Sequence, residues 1–210
     1  MLTTVIFDVG ETLWDETSLW SSWAQWLGVP PFTLYGVIGG LAARGRDHRE
    51  FLEAFRPGCD WDATAALKQA ELPASLALSN LYPDAVSSLR DVAADGWRVV
   101  VGGNQPSWFQ GQVEQLDLPV DLVISSGDLG TEKPSREFFT KAAAAAGVSP
   151  QECVHVGDRV DNDVVAAQAA GMTAVHLTRG PWGYLHADDP AVQHQIASLT
   201  ELVPLLRSLR

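Results

Sequence analysis

The chain has 210 residues, 46% hydrophobic and 19% charged, enough for one large α/β domain or a core with a small inserted domain. Its formal charge of −12 repels phosphate backbones and argues against nucleic acid as a partner. A small anionic substrate would need a site with its own local positive charge. No apolar run approaches bilayer length and no leader pattern precedes Val5-Ile6-Phe7, so no membrane association is expected. Cys59 and Cys153 show neither metal-ligand spacing nor a disulfide framework; two reduced, buried thiols in a cytoplasmic protein are expected.

In chain order, Thr4–Phe7 reads as a buried strand that ends at Asp8. Residues 15–83 hold no convincing strand and read as helices near 16–27, 31–43, 47–56 and 61–71, separated by Pro30-Pro31, Pro57-Gly58 and Pro73. Trp14, Trp20, Trp23, Trp26 and Trp61 are expected to fill the core of this helical segment. The rhythm then becomes strand–helix. Asp84–Asp95 is a helix closed by Gly96, with Ala85, Leu89 and Val92 on one face. Arg98–Val101 is a strand leading to Gly102-Gly103-Asn104, and Leu122–Ser125 a third strand upstream of Lys133-Pro134.

Ser135–Ala146 is a helix stopped by Gly147, and Ser149-Pro150-Gln151-Glu152 fits a capping box with Pro at its first position. Strand Cys153–Val156 runs into Gly157-Asp158. Asp163–Ala170 is a helix ending at Gly171, and Ala174–Leu177 is a fifth strand. Arg179-Gly180-Pro181-Trp182-Gly183 reads as a turn, and Val192–Leu209 as a closing amphipathic helix. The alternation predicts an α/β fold: a Rossmann-like parallel sheet with helices on both faces. A small all-helical segment, residues 15–83, is inserted after the first strand, and residues 1–14 and 84–210 form the core.

Ligands of such sheets bind beyond the carboxyl ends of the strands. The polar residues there are Asp8, Gly102-Gly103-Asn104, Lys133, Asp158 and Asp163. Several carboxylates suit magnesium, which takes a few carboxylates plus a substrate phosphate. A carboxylate can also attack phosphorus, and an ammonium offsets the charge that gathers there. His155 and His176 show no ligand spacing and read as satisfied core or rim residues.

Four segments in order carry a specific resemblance: Phe7-Asp8-Val9-Gly10-Glu11-Thr12-Leu13, Val99-Val100-Val101-Gly102-Gly103-Asn104, Glu132-Lys133-Pro134, and His155-Val156-Gly157-Asp158 with Asp163 and Ala169-Ala170-Gly171. Together they resemble the haloacid dehalogenase-like hydrolases, in which a helical cap falls where residues 15–83 lie. The resemblance implies Asp8 as nucleophile with Lys133 as its charge partner. It implies magnesium held by Asp8, the Gly10 carbonyl, Asp158 and Asp163, directly or through water. Thr12, Gly103, Asn104 (through its amide) and Lys133 would meet the phosphoryl group of a small phosphorylated substrate.

Two positions depart from the family pattern. Gly10 stands where phosphatases of the family carry a second Asp as general acid/base, a role worth about 10²–10⁴ in rate. Gly103 stands where a Ser or Thr hydroxyl is usual. Glu11 adjoins the missing acid, but neighbours on an extended segment point opposite ways, so it is expected to be a solvated or hydrogen-bonded surface carboxylate. Three functions follow: a magnesium-dependent phosphatase, a degenerate relative that binds a ligand or protein, and a metal-free dehalogenase in which Asp8 attacks carbon.

Overall fold

A computed structural model describes residues 1–73 and 77–210. The chain divides into two compact units: Met1–Asp15 with Ala77–Arg210, and the helical segment between them. Residues 77–83, grouped with the insert on sequence grounds, belong to the first unit.

The first unit is built on a six-stranded parallel sheet of order β3-β2-β1-β4-β5-β6. The strands are β1 (Thr4–Phe7), β2 (Arg98–Gly103), β3 (Leu122–Ser125), β4 (Cys153–Gly157), β5 (Thr173–Leu177) and β6 (Gln195–Ile196). All four residues of β1 and all five of β4 are buried, as expected for parallel strands covered on both faces. On one face Ile6, Val100, Ile124 and Ala174 pack with Phe138, Phe139, Ala142 and Ala143 of helix Arg136–Ala145 and with Ala167 and Ala170 of helix Val165–Ala170. The alanine run therefore keeps that helix close to the sheet as well as favouring helix. Strand order reverses direction between β1 and β4, so their carboxyl ends, at Asp8 and Asp158, flank the crevice where such sheets bind ligands.

Several expectations change. β2 and β4 run on through Gly103 and Gly157, one or two residues beyond their apolar runs. The tail is not one helix: β6 pairs along β5, with His176 N–H donating to the His194 carbonyl at 2.9 Å and Thr178 N–H to that of Ile196 at 2.9 Å. A 3-10 turn and helix Leu202–Ser208 follow. A two-residue strand is too short to leave a periodicity. Gly180–Leu185 is a helix started by Pro181 rather than a turn. Helices Phe109–Glu114 and Ser126–Leu129 carried too short a pattern to detect. Cys153 is buried but Cys59 is exposed, and both are free.

In the helical unit, Thr17–Leu27, Pro31–Ala42, Phe51–Phe55 and Trp61–Glu71 are helices, with a 3-10 turn at His48–Glu50. Asp60 caps the last of them by accepting from Ala63 N–H at 2.9 Å. Trp23 stacks on Trp61 (ring centres 5.4 Å apart) and meets Phe51 edge-on at 5.3 Å. The tryptophans of this unit thus pack on one another and on Phe51. Lys68 is 2% exposed; among the described residues its Nζ has no hydrogen-bond partner, and it lies 5.7 Å from the Trp23 ring centre. Trp14 belongs to the sheet unit, against Phe109.

Within the sheet unit, residues 13–15 and 80–82 form a short ribbon, where the chain leaves for the helical segment and returns. Trp14 bridges Leu81, and Tyr82 N–H donates to the Leu13 carbonyl at 2.9 Å. Asp84 anchors the return, accepting from Arg179 at 2.5 Å, Ser198 Oγ at 2.8 Å and Leu199 N–H at 3.0 Å. Burial works against the charged form of Asp84, but the bonds from Arg179 and Ser198 outweigh it and lower its pKa. A carboxyl lowered on folding stabilises above its unfolded value of about 3.9 and loses that stabilisation as pH falls through its folded value. Asp84→Asn is therefore expected to cost about 1–3 kcal/mol at pH 7. The gap to wild type, read from urea midpoints, should close as pH drops below about 4. A gap that stays constant down to pH 3 would show that the charge of Asp84 is not what matters.

Candidate active site

Each strand end delivers a polar group for a local reason. Asp8 follows β1, and its N–H donates to the Val156 carbonyl at 2.8 Å, which fixes it beside the end of β4. Asp158 follows β4. Asp163 lies in a turn of π-helix, Val160–Val164, and its backbone N–H bonds back to the Arg159 carbonyl at 2.8 Å. Gly157 makes room for it: a Cβ there would lie 2.3 Å from Asp163 Cγ. Lys133 reaches in from the segment after β3. Its backbone is held on both sides by the Asn104 side chain, whose Nδ2 donates to the Lys133 carbonyl at 2.9 Å while Oδ1 accepts from Lys133 N–H at 2.7 Å.

These residues meet. Carboxylate oxygens of Asp8, Asp158 and Asp163 all lie within 4.8 Å of one another, and all three residues are buried. Lys133 Nζ donates to Asp8 Oδ1 and to Asp163 Oδ1, each at 2.5 Å. Asp163 Oδ1 also lies 3.0 Å from His155 Nε2, and its Oδ2 accepts from Arg159 N–H at 3.1 Å. The side chain of Asp163 is thus fully engaged by protein groups.

The electrostatics are unbalanced. Burial, and then the charge of Asp163, raise the Asp8 carboxyl despite the pull of Lys133. Asp158 is raised well above the usual carboxylate value by burial and by Asp163, Asp8 and Glu11. Burial opposes ionisation of Asp163 too, but Lys133 and His155 reverse this and hold it low. Lys133 is kept charged by Asp163 and Asp8, against the effect of burial. Three carboxylates meet one ammonium in this buried space, and that imbalance opposes full ionisation of Asp8 and Asp158. A hard divalent cation with oxygen ligands matches that donor set and that charge.

The other predicted residues are placed less directly. Thr12 is fully buried; its hydroxyl has no hydrogen-bond partner among the described residues, and its carbonyl accepts from Arg179. Gly103 lies beside Asp8: a Cβ there would come 3.1 Å from Asp8 Oδ1 and 3.0 Å from Val9 Cγ2. The backbone turns sharply after Gly10, which bridges Trp14, and Glu11 takes φ +52°. Glu11 is therefore neither extended nor at the surface: it is 9% exposed, and its Oε2 accepts from the Tyr82 hydroxyl at 2.5 Å.

His155 was missed as a site residue because a histidine inside an apolar strand reads as core. Neither it nor His176 is fully satisfied. His176 Nε2 lies 2.9 Å from the Asp158 carbonyl, and the Nδ1 atom of each ring has no partner among the described residues.

A sequence profile of the haloacid dehalogenase-like hydrolases matches residues 2–171. A glyceraldehyde 3-phosphate phosphatase of Methanopyrus kandleri is 38% identical over 138 residues, covering 61% of this chain and 57% of that protein. A phosphoglycolate phosphatase of Cereibacter sphaeroides is 30% identical over 205 residues, covering 87% of this chain and 85% of that protein. The chain belongs to the haloacid dehalogenase-like hydrolases. Matches to the first three relatives span 57–60% of their length. Among solved structures, an L-2-haloacid dehalogenase of Xanthobacter autotrophicus superposes over 100% of both chains with a TM-score of 0.70 at 20% identity, a likeness of fold alone.

The geometry makes one substitution diagnostic. Gly157→Ala puts a methyl group into the volume of Asp163 and should push that carboxylate off Lys133, at a cost of about 1–3 kcal/mol. Urea denaturation checks this. A variant as stable as wild type would contradict the packing described.

Proposed function

We propose that this chain is a magnesium-dependent phosphatase acting on a small phosphorylated metabolite. The observation that carries the reading is the cluster of three buried carboxylates, two of which, Asp8 and Asp163, share the Lys133 ammonium. Asp8 attacks phosphorus, the leaving group departs, and water then hydrolyses the aspartyl-phosphate. Lys133 holds one carboxylate oxygen of Asp8 in place and offsets the negative charge that the phosphoryl group adds. Asp8, the Gly10 carbonyl, Asp158 and Asp163 would hold magnesium, directly or through water, and the ion would supply positive charge to offset a phosphate dianion. Asn104 holds Lys133 with its side chain, so its phosphate contact falls to the backbone N–H, with Gly103 beside it. Thr12 serves through the loop it stabilises.

The relatives named for glyceraldehyde 3-phosphate and phosphoglycolate support a small carbon phosphate as the substrate class. The helical unit is the cap that selects the substrate, and the free cysteines fit a cytoplasmic enzyme.

A second reading is favoured by Gly10 and Gly103: a relative that binds a phosphorylated ligand and turns it over slowly. Loss of the acid is worth about 10²–10⁴ in rate, or roughly 3–5 kcal/mol of barrier. A metal-free dehalogenase is disfavoured, because three clustered buried carboxylates, of which one lysine pairs only Asp8 and Asp163, repel one another without a cation.

An activated aryl phosphate, which needs no acid to leave, should be hydrolysed only with magnesium, and Asp8→Asn should abolish turnover. Gly10→Asp should raise turnover about tenfold or more on a poor leaving group. Halide release from a haloacid without metal would sink the proposal in favour of carbon chemistry. Ligand binding with no turnover even after Gly10→Asp would favour the second reading.

A further inference from the structure

Beside the carboxylate cluster lies a second polar assembly that no step above uses. Arg179 Nη1 donates to the Thr12 carbonyl at 2.9 Å, and Nη2 donates to Asp84 Oδ2 at 2.5 Å. The guanidinium carbon lies 4.1 Å from the Tyr82 ring centre, and the Tyr82 hydroxyl donates to Glu11 Oε2. Gly180 permits the approach: at φ +64°, a Cβ there would lie 2.6 Å from Glu11 Cβ and 2.8 Å from Glu11 Oε2. One side chain thus grips the segment leaving Asp8 through Thr12 and the returning segment through Tyr82 and Asp84.

The gripped segment needs an external hold. Glu11 is a non-glycine residue in the left-handed region, which the local chain does not favour and surrounding contacts must impose. Its carboxylate is fixed by Tyr82, its N–H donates to the Trp14 carbonyl at 2.7 Å, and the next carbonyl is fixed by Arg179. Asp84, the far anchor of Arg179, is itself held by Ser198 and Leu199.

We propose that Arg179 is a positioning residue for the proposed hydrolysis: it sets the backbone of residues 10–12, and with it the Gly10 carbonyl as a cation ligand. The catalytic consequence rests on the phosphatase reading; the effect on cation binding rests only on the carboxylate cluster. The planar fork of arginine suits this role, since one rigid group meets a carbonyl, a carboxylate and a ring face at once. A lysine ammonium is a point charge and does not reproduce that set.

The test compares wild type, Arg179→Met, Arg179→Lys and Asp8→Asn. Kinetics use p-nitrophenyl phosphate with magnesium, magnesium affinity is measured by calorimetry, and the thermal midpoint reports folding. Arg179→Met is expected to stay folded and lose about tenfold or more in kcat with KM nearly unchanged. Magnesium affinity should fall about tenfold, and Arg179→Lys should restore neither. If Arg179→Met fails to fold, Tyr82→Phe keeps the arginine and releases only Glu11; it should shift both readouts the same way, by less.

The proposal is overturned if folded Arg179→Met, or Tyr82→Phe in its place, binds magnesium and turns over like wild type. It is also overturned if the lost activity matches only an unfolded fraction. Wild type that shows no Asp8-dependent turnover defeats the phosphatase reading. The magnesium comparison then still decides whether Arg179 positions the loop.

Discussion

The ammonium of Lys133, shared between Asp8 and Asp163, is the interaction on which the rest of the site depends. It joins a group delivered by β1 to one delivered after β4, across the point where the sheet changes direction. Its own placement is enforced by the two-way clamp of Asn104 at the end of β2. The absent side chain of Gly157 gives Asp163 the space to reach it. A single lysine cannot balance three buried carboxylates, and the unbalanced charge falls most heavily on Asp158. A divalent cation relieves this, so the fold holds an arrangement that is electrostatically incomplete without one.

That incompleteness is what the proposed chemistry rests on, within a fold that hosts several. A dehalogenase shares the architecture over its full length, and fold alone does not choose between attack on carbon and attack on phosphorus. The carboxylate surplus is the feature that supports the proposed attack on phosphorus. The two glycines act in the opposite direction. Gly10 removes an acid/base and Gly103 a hydroxyl, and the nearest carboxyl, Glu11, is engaged with Tyr82. On the proposed reading, the site is well equipped to bind a phosphorylated ligand and poorly equipped to help a reluctant leaving group.

Much of this was legible in the sequence, because buried parallel strands are runs of Val and Ile and the groups at their ends are polar. Asp8, Lys133, Asp158 and Asp163 stood out for that reason, and the structure brings them together. What escaped depends on tertiary geometry. His155 sits in an apolar strand, and only the fold of Asp163 back toward β4 brings the two into contact. Glu11 was misjudged because an extended segment was assumed where the chain turns at positive φ. Arg179 looked like part of a turn, since its partners lie about a hundred residues away or more in sequence. The edge strand Gln195–Ile196 exists because β5 offers it backbone partners, not because of its own composition.

The most direct test of the charge account is the stability of wild type and Asp158→Asn, measured by urea denaturation at neutral pH with and without magnesium. Without magnesium, Asp158→Asn should be the more stable protein, because it removes a carboxyl whose ionisation burial and its acidic neighbours oppose on folding. With magnesium at about a hundred times its dissociation constant, wild type should gain about 2.7 kcal/mol and overtake the variant, which gains little. Wild type that is the more stable without magnesium, or that gains nothing on its addition, would contradict the account.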